Sequence, residues 1–93
     1  MKRQYFNGNC YKYYFKDPKR KTLILVHGLG LNQDVWAWLL PLFKKNCNVL
    51  LYDLLGHGDS KDPDDEISLT LFVEQLSALV DSLDIMKATL VGY

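Results

Sequence analysis

Three short segments of this chain are apolar on both faces, and each stops where small or polar residues begin. Thr22–Val26 runs into His27-Gly28, Asn48–Tyr52 into Asp53, and Ala88–Val91 into Gly92. Strands without polar alternation belong in a parallel sheet covered by helices on each side. Between the second and third segments, Leu69, Phe72, Val73, Leu76, Leu79, Val80 and Leu83 recur at 3.6-residue spacing, with Glu74, Gln75, Asp81 and Ser82 opposite. That pattern predicts a helix over 69–83 with Ser68 as its N-cap. Residues 32–45 also read as helical. Pro41 within a helix would cost about 3 kcal/mol, so it is expected to open a second helical piece. The start of the chain follows a period of two instead. Gln4–Phe6 and Cys10–Phe15 flank Asn7-Gly8-Asn9, and Tyr11, Tyr13 and Phe15 alternate with polar residues. This predicts a β-hairpin with a solvated basic face. A β-hairpin followed by β, α, β, α, β predicts an α/β architecture over residues 1–93, part of a single domain, with a parallel sheet and right-handed crossovers.

Composition narrows the function more than the fold. The chain has 93 residues, 48% apolar and 24% charged, which fits one globular domain and not a disordered segment. Its longest apolar run, Val35–Phe43 with Pro41 included, is nine residues, too short to cross a membrane. The basic start is followed by no leader-like apolar stretch. Cys10 and Cys47 lack metal-ligand neighbours and are too few for a disulfide framework, so a reduced cytoplasmic setting is expected. The net charge is zero, which gives no whole-chain reason to bind nucleic acid. It is unevenly spread: residues 1–22 carry seven bases and one acid, and residues 34–66 carry three bases and seven acids. The acidic run from Asp62 to Glu66 is expected to be a solvated loop.

In an open α/β sheet, ligands bind beyond the carboxyl ends of the strands. Three features fall there: His27-Gly28-Leu29-Gly30, Asp53-Leu54-Leu55-Gly56-His57-Gly58-Asp59-Ser60, and Leu90-Val91-Gly92-Tyr93. A dinucleotide site is one reading, with Gly28 and Gly30 after a strand and Asp53 closing the next. Against it, Gln33 stands where the third glycine belongs. Gly58-Asp59-Ser60 has a candidate nucleophile but no closing glycine and lies well past its strand. Asp53 is expected to accept N–H bonds from the turn after it, and His57 to pack in that turn. A metal site from His27, His57 and Asp53 lacks ligand spacing, so no metal is expected.

Taken in order, these motifs, with Trp36 after the first and the amphipathic stretch 69–83 before the last, resemble the N-terminal half of the α/β-hydrolase family. The stretch His27-Gly28-Leu29-Gly30-Leu31-Asn32 with Val35-Trp36 is similar to the pimeloyl-carrier methyl-ester esterases and to small carboxylesterases and lactonases. The resemblance implies an oxyanion-hole donor, the backbone N–H of Leu29, whose side chain would shape the acyl pocket. It also implies a supporting frame of His27, Gly28, Gly30, Asp53, Gly56, His57, Gly58 and Gly92. Within that frame, His27 is expected to hold the oxyanion loop by hydrogen bonds. Trp36 is expected in the core and Trp38 partly exposed, while Tyr93 would border the substrate.

In this family the nucleophile sits on a G-x-S-x-G elbow, followed along the chain by the acid and the histidine. Gly92-Tyr93 supplies the first two elbow positions. The triad, and the rest of the hydrolase domain as a partner, are therefore expected beyond Tyr93, and these residues alone are expected to be inactive. A modified serine, a cleavage or a truncation would each put the boundary at Tyr93. Read instead as a complete binding module, the chain would leave 88–91 an open edge with no Pro or Lys to blunt it. The implied activity is serine hydrolysis of a small carboxylic ester, thioester or lactone without a cofactor. Epoxide, haloalkane and C–C hydrolysis remain open alternatives.

Overall fold

In a computed structural model, residues 2–64 and 66–93 are described; Asp65 of the acidic run lies outside them. Strands β1 (Gln4–Phe6) and β2 (Asn9–Tyr14) form the hairpin. The turn between them is Asn7-Gly8, both with positive φ (49° and 79°), which is the handedness a tight two-residue hairpin needs. Asn9 therefore pairs with Phe6 inside the ladder and is not part of the turn.

The chain then alternates. Strand β3 (Thr22–Val26) leads to a 3-10 turn (Gln33–Trp36) and helix α1 (Leu40–Lys44). Pro41 sits in the first turn of α1, where its missing N–H breaks no helical bond. Strand β4 (Asn48–Tyr52) follows, then helix α2 (Leu69–Ser82), capped by the Ser68 hydroxyl accepting from the Leu71 N–H, and strand β5 (Thr89–Gly92).

The five strands form one sheet in the order β1-β2-β4-β3-β5. The hairpin joins antiparallel through β2 against β4, while β4, β3 and β5 run parallel. Val26 pairs with Tyr52 on one side and Gly92 on the other, so all three parallel strands end at one level. The connections between the parallel strands are helical, as the strand patterning requires.

Each face of the sheet has its own core. Ile24, Leu50, Tyr52 and Leu54 meet Leu79 of α2 on one face. On the other, Leu25, Val49 and Leu51 meet Trp36. Burial on both faces explains the absence of polar alternation in β3 and β4. The hairpin departs from expectation. Tyr11 and Tyr13 pack on the α2 side and Tyr14 on the other, so β2 is covered on both faces, while Phe15 lies past the strand and is exposed. Helix α2 is rotated relative to its expected stripe. Leu69 and Val73 are exposed and Gln75 is buried.

Candidate functional site

The ends of β3, β4 and β5 bring together the three segments that the sequence places there. Glycines and two imidazoles shape them. His27 is buried at the end of β3. Its Nδ1 lies 2.8 Å from the Gly28 carbonyl oxygen, and its Nε2 accepts the Leu54 N–H at 2.9 Å. A carbonyl oxygen only accepts, so the proton belongs on Nδ1 and the ring is neutral. Burial lowers the His27 pKa, with the Gly28 contact opposing that shift and His57 adding to it. His57 repeats the pattern: Nδ1 lies 2.9 Å from the Leu55 carbonyl oxygen and Nε2 accepts the Gly30 N–H at 3.0 Å. The two rings are 5.3 Å apart.

The loop from Gly28 to Leu31 is thus tied down through its two later amides. The Gly30 N–H goes to His57 and the Leu31 N–H to the Gly28 carbonyl oxygen at 3.1 Å. Just before them, the Leu29 N–H, like that of Gly28, donates to no protein acceptor among the described residues. The Leu29 side chain is 73% exposed. Gly30 has φ of 82°, which bends the chain back after Leu29. Tyr93 extends β5 past Gly92, its N–H donating to the Val26 carbonyl oxygen at 3.0 Å and its ring meeting Trp36 edge-on at 5.7 Å. A side chain on Gly28 would meet the Tyr93 backbone oxygen at 3.9 Å, so the β5 end runs close beside this loop. Trp36 is buried and Trp38 is exposed.

Asp53 organises the loop after β4. Its buried carboxylate accepts the Gln33 N–H at 2.8 Å and the Asp59 N–H at 3.0 Å. It presents no oxygen for a ribose, which removes the main support for a dinucleotide site. A Cβ on Gly58 would stand 2.5 Å from the Asp53 carboxylate, and Gly58 also has positive φ, so only glycine fits. Gly56 turns the same loop with φ of 75°. Ser60 is a strut and not a nucleophile. Its hydroxyl donates to the Asp53 carbonyl oxygen at 2.6 Å and accepts the Cys10 N–H at 2.9 Å.

Two residues that sequence reasoning missed lock this frame. Gln75 of α2 accepts the Leu55 N–H at 3.0 Å and donates to the Asp53 carbonyl oxygen at 2.8 Å and to Asn9 Oδ1 at 3.3 Å. Arg3, half-buried at the base of the hairpin, contacts Asp34 and Asp59 at 3.1 Å and Asp53 at 4.0 Å. Cys10, Asp53 and Asp59 lie close enough together to suggest a cation site. The guanidinium of Arg3 already lies against both carboxylates, and burial pushes the Cys10 thiol up, so the cluster is a salt-bridge knot.

Comparison with known proteins gives this geometry its relatives. The model of the "Alpha/beta hydrolase family" matches residues 23–93. A strigolactone esterase of Arabidopsis thaliana is 38% identical over 77 residues, covering 78% of this chain and 29% of the esterase. A succinate-derivative hydrolase of Acinetobacter baylyi, (E)-2-((N-methylformamido)methylene)succinate hydrolase, is 26% identical over 87 residues, covering 94% of this chain and 33% of its own. The crystal structure of an enol-lactonase from Burkholderia xenovorans superposes with a TM-score of 0.83 at 26% identity, covering 98% of this chain and 36% of that one. The chain therefore spans about a third of the length of these relatives.

Proposed function

The chain belongs to the alpha/beta hydrolase family, and from that premise we propose that the whole protein hydrolyses a small carboxylic ester, thioester or lactone through an acyl-enzyme. The observation that carries this reading is the unengaged Leu29 amide, directly before two engaged ones and beside the end of β5. An oxyanion needs a donor whose direction is set before charge develops, and one such donor contributes about 3–4 kcal/mol. In the proposed reaction a serine hydroxyl adds to the substrate carbonyl carbon while a histidine takes its proton. The carbonyl oxygen gains the negative charge and turns to the Leu29 N–H. Collapse expels the alcohol, thiol or ring oxygen with that proton, and water then releases the acid by the same steps. Nucleophile, acid and base are assigned to the part of the domain outside these residues. The exposed Leu29 side chain and Tyr93 are assigned to the acyl pocket. The names of the esterase and lactonase relatives favour carbonyl substrates over epoxides or haloalkanes. The scheme calls for no cofactor. Among the described residues no helix is long and apolar enough to cross a membrane, and a cytoplasmic location is part of the proposal.

Two substitutions at one position test it in the whole protein. Leu29→Ala keeps the amide, and is expected to shift acyl-chain preference with turnover retained. Leu29→Pro removes the donor and is expected to lower kcat by roughly 10²–10³. Equal losses from both would place the role in the side chain and overturn the oxyanion assignment.

A further inference from the structure

Among the described residues, one hydrogen bond reaches the Gly28–Leu31 loop from a distant part of the chain, and it comes from His57. The Leu55 carbonyl oxygen on one side of the ring requires a proton on Nδ1, which leaves Nε2 as a bare lone pair toward the Gly30 N–H. Only the neutral ring has this pattern. A second proton would go onto Nε2 and set a donor against a donor. The Leu29 N–H shares its peptide plane with the Gly28 carbonyl, which accepts the Leu31 N–H, and Gly30 lies inside the turn that this bond closes, so fixing Gly30 restrains the turn that holds the Leu29 amide.

We propose that His57 is the positioning residue of the oxyanion loop: neutral, it anchors Gly30 and thereby aims the Leu29 N–H, and when protonated it releases the loop. This rests on the ester-hydrolase reading only in calling the loop an oxyanion loop; the hydrogen bond is independent of that reading. His27, facing His57 from the end of β3, is held neutral by burial and by its bonds to Gly28 and Leu54. From α2, Phe72 approaches edge-on at 6.4 Å and carries no charge. Of the acids in the loop after β4, Asp53 and Asp59 are engaged by Arg3, and the Asp62 carboxylate would stand 3.9 Å from a Cβ on Gly56.

Nitrogen-15 NMR of the imidazoles in the full chain reads the tautomer, and the Gly30 amide reads the loop. At mildly alkaline pH, His57 is expected in the Nδ1–H form with the Gly30 amide protected from exchange. As pH falls through the His57 titration, the Gly30 amide shift is expected to move with the same midpoint. Its protection, corrected for the intrinsic rate at each pH, is expected to drop roughly 2- to 10-fold, the worth of one net hydrogen bond. His57→Gln retains an acceptor that does not titrate, and is expected to keep the protection and lose its pH dependence. His57→Phe is expected to lose both. An Nε2–H tautomer, or a Gly30 amide that stays still while His57 titrates, would overturn the proposal, and both are read in the wild-type chain without any variant. Ester turnover is scored separately. A normal Gly30 response in a whole protein that cleaves no ester, thioester or lactone would sink the function proposed above and leave the positioning role standing.

Discussion

Asp53 leaves β4 with its carboxylate sealed from solvent, and its neighbours keep it ionised there. Burial pushes its pKa up, but the N–H groups of Asp59 and Gln33, the Gln33 side chain and the Arg3 charge together outweigh that and hold it below the ordinary carboxylate value. An acid whose pKa is lowered by folding stabilises the native state above its unfolded value, about 3.9, and that contribution is lost as pH falls through the folded value. Asp53→Asn is therefore expected to cost about 1–3 kcal/mol near neutrality and to flatten the loss of stability below about pH 4. Urea denaturation across pH measures both. An acid limb that overlays the wild type would assign the titration to another carboxylate. The residue type and position of Asp53 were legible in the sequence, because an acid closing a strand commonly serves the turn after it. That its carboxylate forces glycine at position 58 was not legible, since the reason is a contact five residues away with no periodic signature.

At the scale of elements, hydrophobic spacing located every strand within a residue or so and predicted the break in the helical stretch at Pro41. It failed on the rotation of α2. A stripe drawn through Leu69 and Val73 puts Gln75 on the outer face, yet Gln75 is buried and Leu69 and Val73 are exposed. The cause is a polar demand that an apolar pattern cannot register. The loop after β4 buries the Leu55 N–H and the Asp53 carbonyl oxygen, and no strand or helix satisfies them. Gln75 is the side chain of α2 that does. Gln75→Leu keeps the bulk but leaves the Leu55 N–H without an acceptor, while the Ser60 hydroxyl still serves the Asp53 carbonyl oxygen, so it is expected to destabilise by about 1–3 kcal/mol. Its neighbour Glu74 is exposed, and Glu74→Ala is expected to stay within about 0.5 kcal/mol of wild type. Thermal unfolding of the pair checks the contrast. Similar small effects at both positions would show that water replaces Gln75 without loss.

Across the whole molecule, the uneven charge of the sequence becomes a device that joins its parts. The basic start was expected to be a solvated face, because nothing in linear order places Arg3 beside residues 31 to 56 positions away. The antiparallel seat of β2 against β4 brings it there. Arg3 then bridges the 3-10 turn at Asp34 and the loop after β4 at Asp53 and Asp59, and Lys12 adds a contact to Asp34 at 3.9 Å. These pairs differ in their surroundings. Asp34 and Asp59 are more than half exposed, so salt should screen their attraction to Arg3, whereas Asp53 is buried and little screened. Arg3→Met keeps most of the aliphatic stem and deletes the charge. It is expected to destabilise the chain by about 1–3 kcal/mol at low salt, most of it from leaving Asp53 with fewer favourable partners. In about 1 M sodium chloride the cost should shrink without vanishing, because only the exposed contacts are screened. Urea is the denaturant for this comparison, since guanidinium is itself a salt. An identical cost at both salt concentrations would assign Arg3 to packing; a cost that disappears in high salt would show that Asp53 does not depend on Arg3 for its charge.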